Sequence, residues 1–192
     1  MKQWRFKEIV VMAALSVVFA VVYLAFLPLG KLLVGFFGPI GYDFIFGIWF
    51  IVSTIAAYII RKPGAAFLSE TIAAMVEMLI GNATGPMLII TGMVQGIGAE
   101  AAFAITRWRS YNIWVLMSAG VGSALTSFVY GYFVSGYAVL ETGYVMAMLA
   151  TRMISGALIA GLIGKAISDN LAKTGVLDSF ALGKVYRRKN AA

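Results

Sequence analysis

The chain has 192 residues and a formal charge of +7, with 61% apolar and 12% charged residues, against ~45–50% and ~25% in soluble globular proteins. It lacks the polar surface to cover a water-soluble fold, so its solvent is a bilayer. With no Cys and no His, thiolate zinc sites, Ser-His-Asp triads, thiol nucleophiles and imidazole-ligated haem are excluded, and we expect no enzyme activity, no cofactor and no metal.

In chain order, the first apolar run is 9–27 (IVVMAALSVVFAVVYLAFL). It is longer than a signal-peptide core, and no small-x-small cleavage site follows it. Further spans are expected at about 42–60, 64–81, 87–106, 112–134 and 143–167, each bounded by Gly, Pro or charge. The expected fold is therefore an all-α integral membrane protein, a six-transmembrane-helix bundle over residues 1–172 with a basic tail over 173–192. Cations punctuate these runs instead of covering one polar face, which argues for membrane topology and against nucleic acid. Lys2, Arg5 and Lys7 precede the first span. Arg61, Lys62, Arg107 and Arg109 fall in the second and fourth connections, and Lys165, Lys173, Lys184, Arg187, Arg188 and Lys189 lie at the C-terminal end. By the positive-inside rule both termini are cytoplasmic, in a multi-pass protein of the cell membrane.

The first outer connection, Pro28 to Asp43 (PLGKLLVGFFGPIGYD), mixes Gly and Pro with apolar side chains such as Phe36. Helix is disfavoured there and burial favoured, so the segment is expected to fold over the bundle as an apolar lid. Tyr23, Tyr42, Tyr132 and Tyr137 read as interfacial belt residues. Trp49 falls deeper, as lipid-facing filler or as a stacking surface for a flat ligand.

Charges inside a bilayer cost roughly 2.5–3.5 kcal/mol each, and the spans hold Glu70, Glu77, Glu100 and Arg152. One acid is expected to pair with Arg152, either Glu100 or Glu70. The remainder must be neutralised, hydrated or opposed by a cationic ligand. Glu70, Ala74, Glu77 and Gly81 share one helix stripe, and Glu77 lies about 6 Å from the outer end at ~1.5 Å per residue. Asn82 and Thr84 reach the same mouth, as ligand partners or helix caps. Gln95 lies near mid-span, bonding a ligand or tying two helices. Tyr144 leads a stripe to Arg152 from the outer mouth. Small residues four apart, including Gly92 and Gly96, and Gly156, Ala160 and Gly164, read as close helix packing. Gly164-Lys165-Ala166 fails the phosphate-loop pattern, so uphill transport would need an ion gradient or a partner ATPase.

The opening RFKEIVVMAALSVVFAVVY and the stretch RKPGAAFLSETIAAMVEMLIGNATGP resemble the substrate-binding S component of an energy-coupling factor (ECF) vitamin transporter, most closely the YkoE-type family of thiamine and hydroxymethylpyrimidine permeases. The resemblance covers the whole chain. It implies an outward-facing vitamin site under the first loop, and as partners a transmembrane coupling protein and two cytoplasmic ATPase subunits. It implies a coupling contact through an Ala-xxx-Ala pattern in helix one, whose nearest equivalents here are Ala13, Ser16 and Ala20. The expected substrate-binding residues are Glu77, Trp49, Gln95, Asn82, Thr84, Tyr144, Glu100 and Phe36. Excess buried carboxylate suits thiamine, whose thiazolium is a fixed cation. The alternative is a stand-alone proton-coupled transporter of a small organic cation, with Glu70 or Glu100 titrating.

Overall fold

A computed structural model describes residues 3–190. Lys2 and the side chain of Lys189, two of the cations counted above, lie outside the described residues. Helices α1 (Phe6–Phe37), α2 (Ile40–Asp43), α3 (Ile51–Ile60), α4 (Ala65–Leu79), α5 (Met87–Ile105), α6 (Ile113–Val134), α7 (Thr142–Ser155), α8 (Gly164–Lys173) and α9 (Ala181–Asn190) make an all-helical bundle, with no strand among the described residues. A 3-10 turn (Phe46–Phe50) leads into α3, and a π-helical segment (Gly156–Ile163) joins α7 to α8. Among the described residues, four stretches are long and apolar enough to cross a membrane: α1, α5, α6 and the continuous Thr142–Lys173. The apolar run Phe46–Ile60 is shorter.

Every residue of α3 is buried, as expected of a helix apolar on all sides. Around it pack α1, α4, the π segment and α8, while α5 lies between α4 and α6. On α1, Glu8, Met12, Ser16 and Ala20 recur every four residues and are buried. That stripe faces α4, where the Ser16 hydroxyl donates to the Ser69 carbonyl at 2.8 Å. Val10, Val17, Val18 and Val21 point outward, into what is lipid for a bilayer protein.

The expected lid is largely helix instead. Helix α1 does not stop at residue 27 but runs through Pro28 to Phe37, roughly 48 Å of helix at ~1.5 Å per residue. Pro28 removes one backbone donor, but an irregular apolar loop at the membrane would strand many N–H and C=O groups, so helix wins. Only the turn from Gly38 to Ile45 folds back, hinged at Gly38, whose φ of 72° suits glycine. The second expected span is likewise broken into α2, a 3-10 turn and α3. The expected basic tail is folded: after α8, Leu177, Phe180 and Leu182 are buried in the core, and α9 lies across one end of the bundle. The small-residue stripes serve internal packing, with Gly120 against Gly156 and Gly96 against Phe67.

Candidate functional site

A helical period of 3.6 places Glu70, Ala74 and Glu77 on one face of α4. Gly92 on α5 lets the two helices close, because a Cβ there would collide with that of Ala74. Between this face and the segment after α1 lies a cleft of about 150 Å³. Glu70 and Glu77 line it from α4, Thr91 and Gln95 from α5, and Asn82 and Thr84 from the connection. Tyr42, Phe46 and Trp49 complete the wall.

The carboxylates are the most costly groups in it. Glu70 and Glu77 are 1% and 2% exposed. The Tyr23 hydroxyl donates to Glu70 Oε2 at 3.3 Å and itself accepts from the Val52 N–H at 3.2 Å. Asn82 Nδ2 donates to Glu77 Oε1 at 2.7 Å, while its Oδ1 accepts from the Thr84 N–H at 2.9 Å. Neither acid has a cationic partner among the described residues. The chain has eight acids, and the others are accounted for. Glu8, Asp43, Asp169 and Asp178 sit in ion pairs, Glu100 is held by N–H donors, and Glu141 is exposed. The buried carboxyls without a cationic partner are thus confined to one cleft among the described residues, and such groups must be protonated, hydrated or met by a cationic ligand.

The opposite wall is aromatic. Tyr42 stacks on Trp49 with ring centroids 4.7 Å apart and planes 23° apart, and Phe46 lies against both. Trp49 is 7% exposed, and its buried indole N–H has no partner among the described residues. Such a group costs stability unless something accepts from it. A flat face, an unspent N–H, two acids and the polar groups of Asn82, Thr84, Thr91 and Gln95 converge on one small space. That set can stack, hydrogen-bond and neutralise a flat organic cation.

The structure therefore brings Glu77, Trp49, Gln95, Asn82 and Thr84 together, and adds Glu70. Other expectations need correction. Glu100 does not line the cleft: it accepts from the Gly64, Ala66 and Phe67 N–H groups at the start of α4 and from Trp108 Nε1 at 2.7 Å, where the helix dipole favours an anion. Arg152 pairs with neither Glu100 nor Glu70. Its Nε donates to Asp43 Oδ1 at 2.5 Å, with both side chains buried and Tyr137 Oη accepting at 3.1 Å. Phe36 is 75% exposed, because the continued helix turns it outward. Tyr144 lies beside the cleft wall without lining it, its hydroxyl accepting from the Ile40 N–H at 3.0 Å and so tying α2 to α7. Ser16 and Ala20 are sealed against α4 and Ala13 is half-buried, which leaves no coupling surface on that stripe.

Tyr23 is buried in the core and not a belt residue, while Tyr42 and Tyr137 are half-buried, Tyr42 against Trp49 and Tyr137 against Arg152. Tyr42, Phe46 and Trp49 recur at i, i+4 and i+7, a one-face spacing that is legible in the sequence. Asp43 is the only acid in the first outer connection, and its partner Arg152 lies 109 residues away in the chain, a pairing that no local spacing signals.

Residues 7–126 match the family model described as "ABC-type cobalt transport system, permease component". The chain is 61% identical over 189 residues to the HMP/thiamine permease protein YkoE of Bacillus subtilis (strain 168), covering 98% of this chain and 95% of that protein. It is also similar to the crystal structure of an S-component of an ECF transporter, with a TM-score of 0.96 and 60% identity over 98% of this chain and 96% of the other.

Proposed function

The chain belongs to this family of ABC-type permease components, as a YkoE-like S component of an energy-coupling factor transporter, and on that premise we propose that its cleft receives thiamine as the vitamin to be imported. The observation that carries this reading is the pair Glu70 and Glu77, buried in one cleft with no cation of the protein's own. Thiazolium carries a permanent positive charge and matches them, while the aminopyrimidine finds the Tyr42–Trp49 face and the amides of Asn82 and Gln95. Neutral hydroxymethylpyrimidine leaves the acids unmatched. Cobalt, named in the family description, finds a poorer donor set: no group of three or more His, Cys, Asp or Glu among the described residues is placed to hold a metal ion.

In this reading the subunit binds and releases without covalent chemistry, while a coupling protein and two ATPases supply the work. The cleft opens outward, beneath the turn of α2. Six crossings, with both termini cytoplasmic, fit the meeting of Arg5, Arg61, Lys62, Arg109 and α9 at one end of the bundle. The coupling protein would contact the exposed face of α1 at Val10, Ala14, Val17 and Val21, a single stripe by helical spacing.

Calorimetry on the purified chain tests the ligand: thiamine should bind at least tenfold tighter than hydroxymethylpyrimidine. Equal or weaker thiamine binding overturns the charge argument. Proteoliposome uptake should require the partner subunits and ATP, and uptake by the chain alone under a pH gradient would replace this reading with secondary transport. Because the native chain lacks Cys, single cysteines at positions 83 and 188 report sidedness to an impermeant thiol reagent.

A further inference from the structure

At the end of the bundle away from the cleft, a larger cavity of about 360 Å³ lies between α9 and the connections that follow α3 and α5. Six cations line it: Arg5, Arg61, Lys62, Arg109, Lys184 and Arg188. The single acid there, Glu8, accepts from Arg5 at 2.7 Å and from Lys62 at 2.6 Å. Arg61, Arg109, Lys184 and Arg188 have no carboxylate partner among the described residues. We propose that this cavity is a second binding site, independent of the vitamin cleft, for a phosphate-bearing anion.

Three further features point to a ligand and not merely to a solvated basic face. The Arg61 guanidinium is held 5.1 Å from the ring centres of both Tyr58 and Tyr111, so its fork is fixed in a way that suits phosphate oxygens. Tyr111 lines the same cavity, and its buried hydroxyl has no hydrogen-bond partner among the described residues. Burial pushes that phenol above its ordinary value, so it is presented as a neutral O–H donor. The backbone is strained here as well. The non-glycine residues with positive φ among those described are Arg61 (55°), Arg107 (52°) and Trp108 (53°), and the first and last line the cavity. Strain of this kind clusters where a structure is organised around a ligand.

The helical spacing of α9 delivers Ala181, Lys184, Val185 and Arg188 to the cavity as one face. Helix α9 thereby closes a pocket that the connections alone would leave open. Phe6, Ile105 and Trp114, at 81%, 83% and 72% exposure, flank the lining residues in sequence. As exposed apolar side chains within three residues of the lining, they are available to acyl chains if the phosphate belongs to a lipid headgroup. A free phosphate or diphosphate satisfies the same cations without them.

The test uses the full chain in a neutral detergent, with melting temperature read against phosphatidylglycerol, zwitterionic phosphatidylcholine and inorganic pyrophosphate. Phosphatidylglycerol should raise the melting temperature where phosphatidylcholine does not. Lys184→Gln with Arg188→Gln, and separately Arg109→Gln, should weaken that response about tenfold or more. All three side chains are exposed, so the variants retain the fold, and their thiamine affinity at the distant cleft should equal that of the parent. A pyrophosphate response with the same variant dependence supports the site and assigns it to soluble phosphates. No response to either anion, or a response that the variants keep, overturns the proposal.

Discussion

Phe46 separates two sites that treat buried charge in opposite ways. On one side the Arg152 guanidinium lies 3.8 Å from the Phe46 ring centre and binds Asp43, so charge meets charge within the chain and the pair joins α2 to α7. On the other side Phe46 walls the cleft, where Glu70 and Glu77 have only neutral donors. Both sites are equally withdrawn from solvent. The difference is pairing: a buried charge matched internally holds two segments together, whereas the acids without a cation of the protein's own are the ones the proposed function assigns to a cationic ligand.

The most severe way to break that contrast is to leave Asp43 alone. Arg152→Met should cost about 3–5 kcal/mol of stability, as expected for one partner of a buried pair. Combining it with Asp43→Leu should recover most of the melting temperature. If the double variant melts as low as the single one, the pair is not the reason for the loss. Glu77→Gln should behave in the opposite sense, melting no lower than the parent yet binding thiamine more weakly by about 1.5–3 kcal/mol, the value of a charge-assisted contact. Unchanged affinity by calorimetry would remove Glu77 from the site.

A smaller effect sharpens the boundary between anchored and available acids. Glu100→Gln removes the anion that caps the start of α4, so it should lower stability by about 1–2 kcal/mol while leaving thiamine affinity unchanged. Lost binding with intact stability would mean that the two ends of the bundle are not separate. Smallest is Trp49→Phe, which keeps a ring against Tyr42 but deletes the indole N–H. Calorimetry should show a loss of about 0.5–1.5 kcal/mol, and no loss would mean that the N–H meets nothing in the complex.

Part of the fold was legible because apolar run length is a local property. The runs 87–106 and 112–134 correspond to α5 and α6 within a residue. The site was legible in part for the same reason: Glu70 and Glu77 share a stripe whatever surrounds α4, and Asn82 and Thr84 follow directly in the chain. The lid was not legible because Gly and Pro disfavour helix one residue at a time, whereas the hydrogen-bond demand of the whole segment decides helix or loop at a membrane.

What the sequence by itself determined was therefore the apolar, all-helical character of the chain, the extent of α5 and α6, and the Glu70–Glu77 stripe on α4. Only the tertiary structure decided which acids remain unmatched. Pairing depends on distances between segments more than a hundred residues apart, as between Asp43 and Arg152, and electrostatic partnership is set by a few ångströms of approach that no linear spacing encodes.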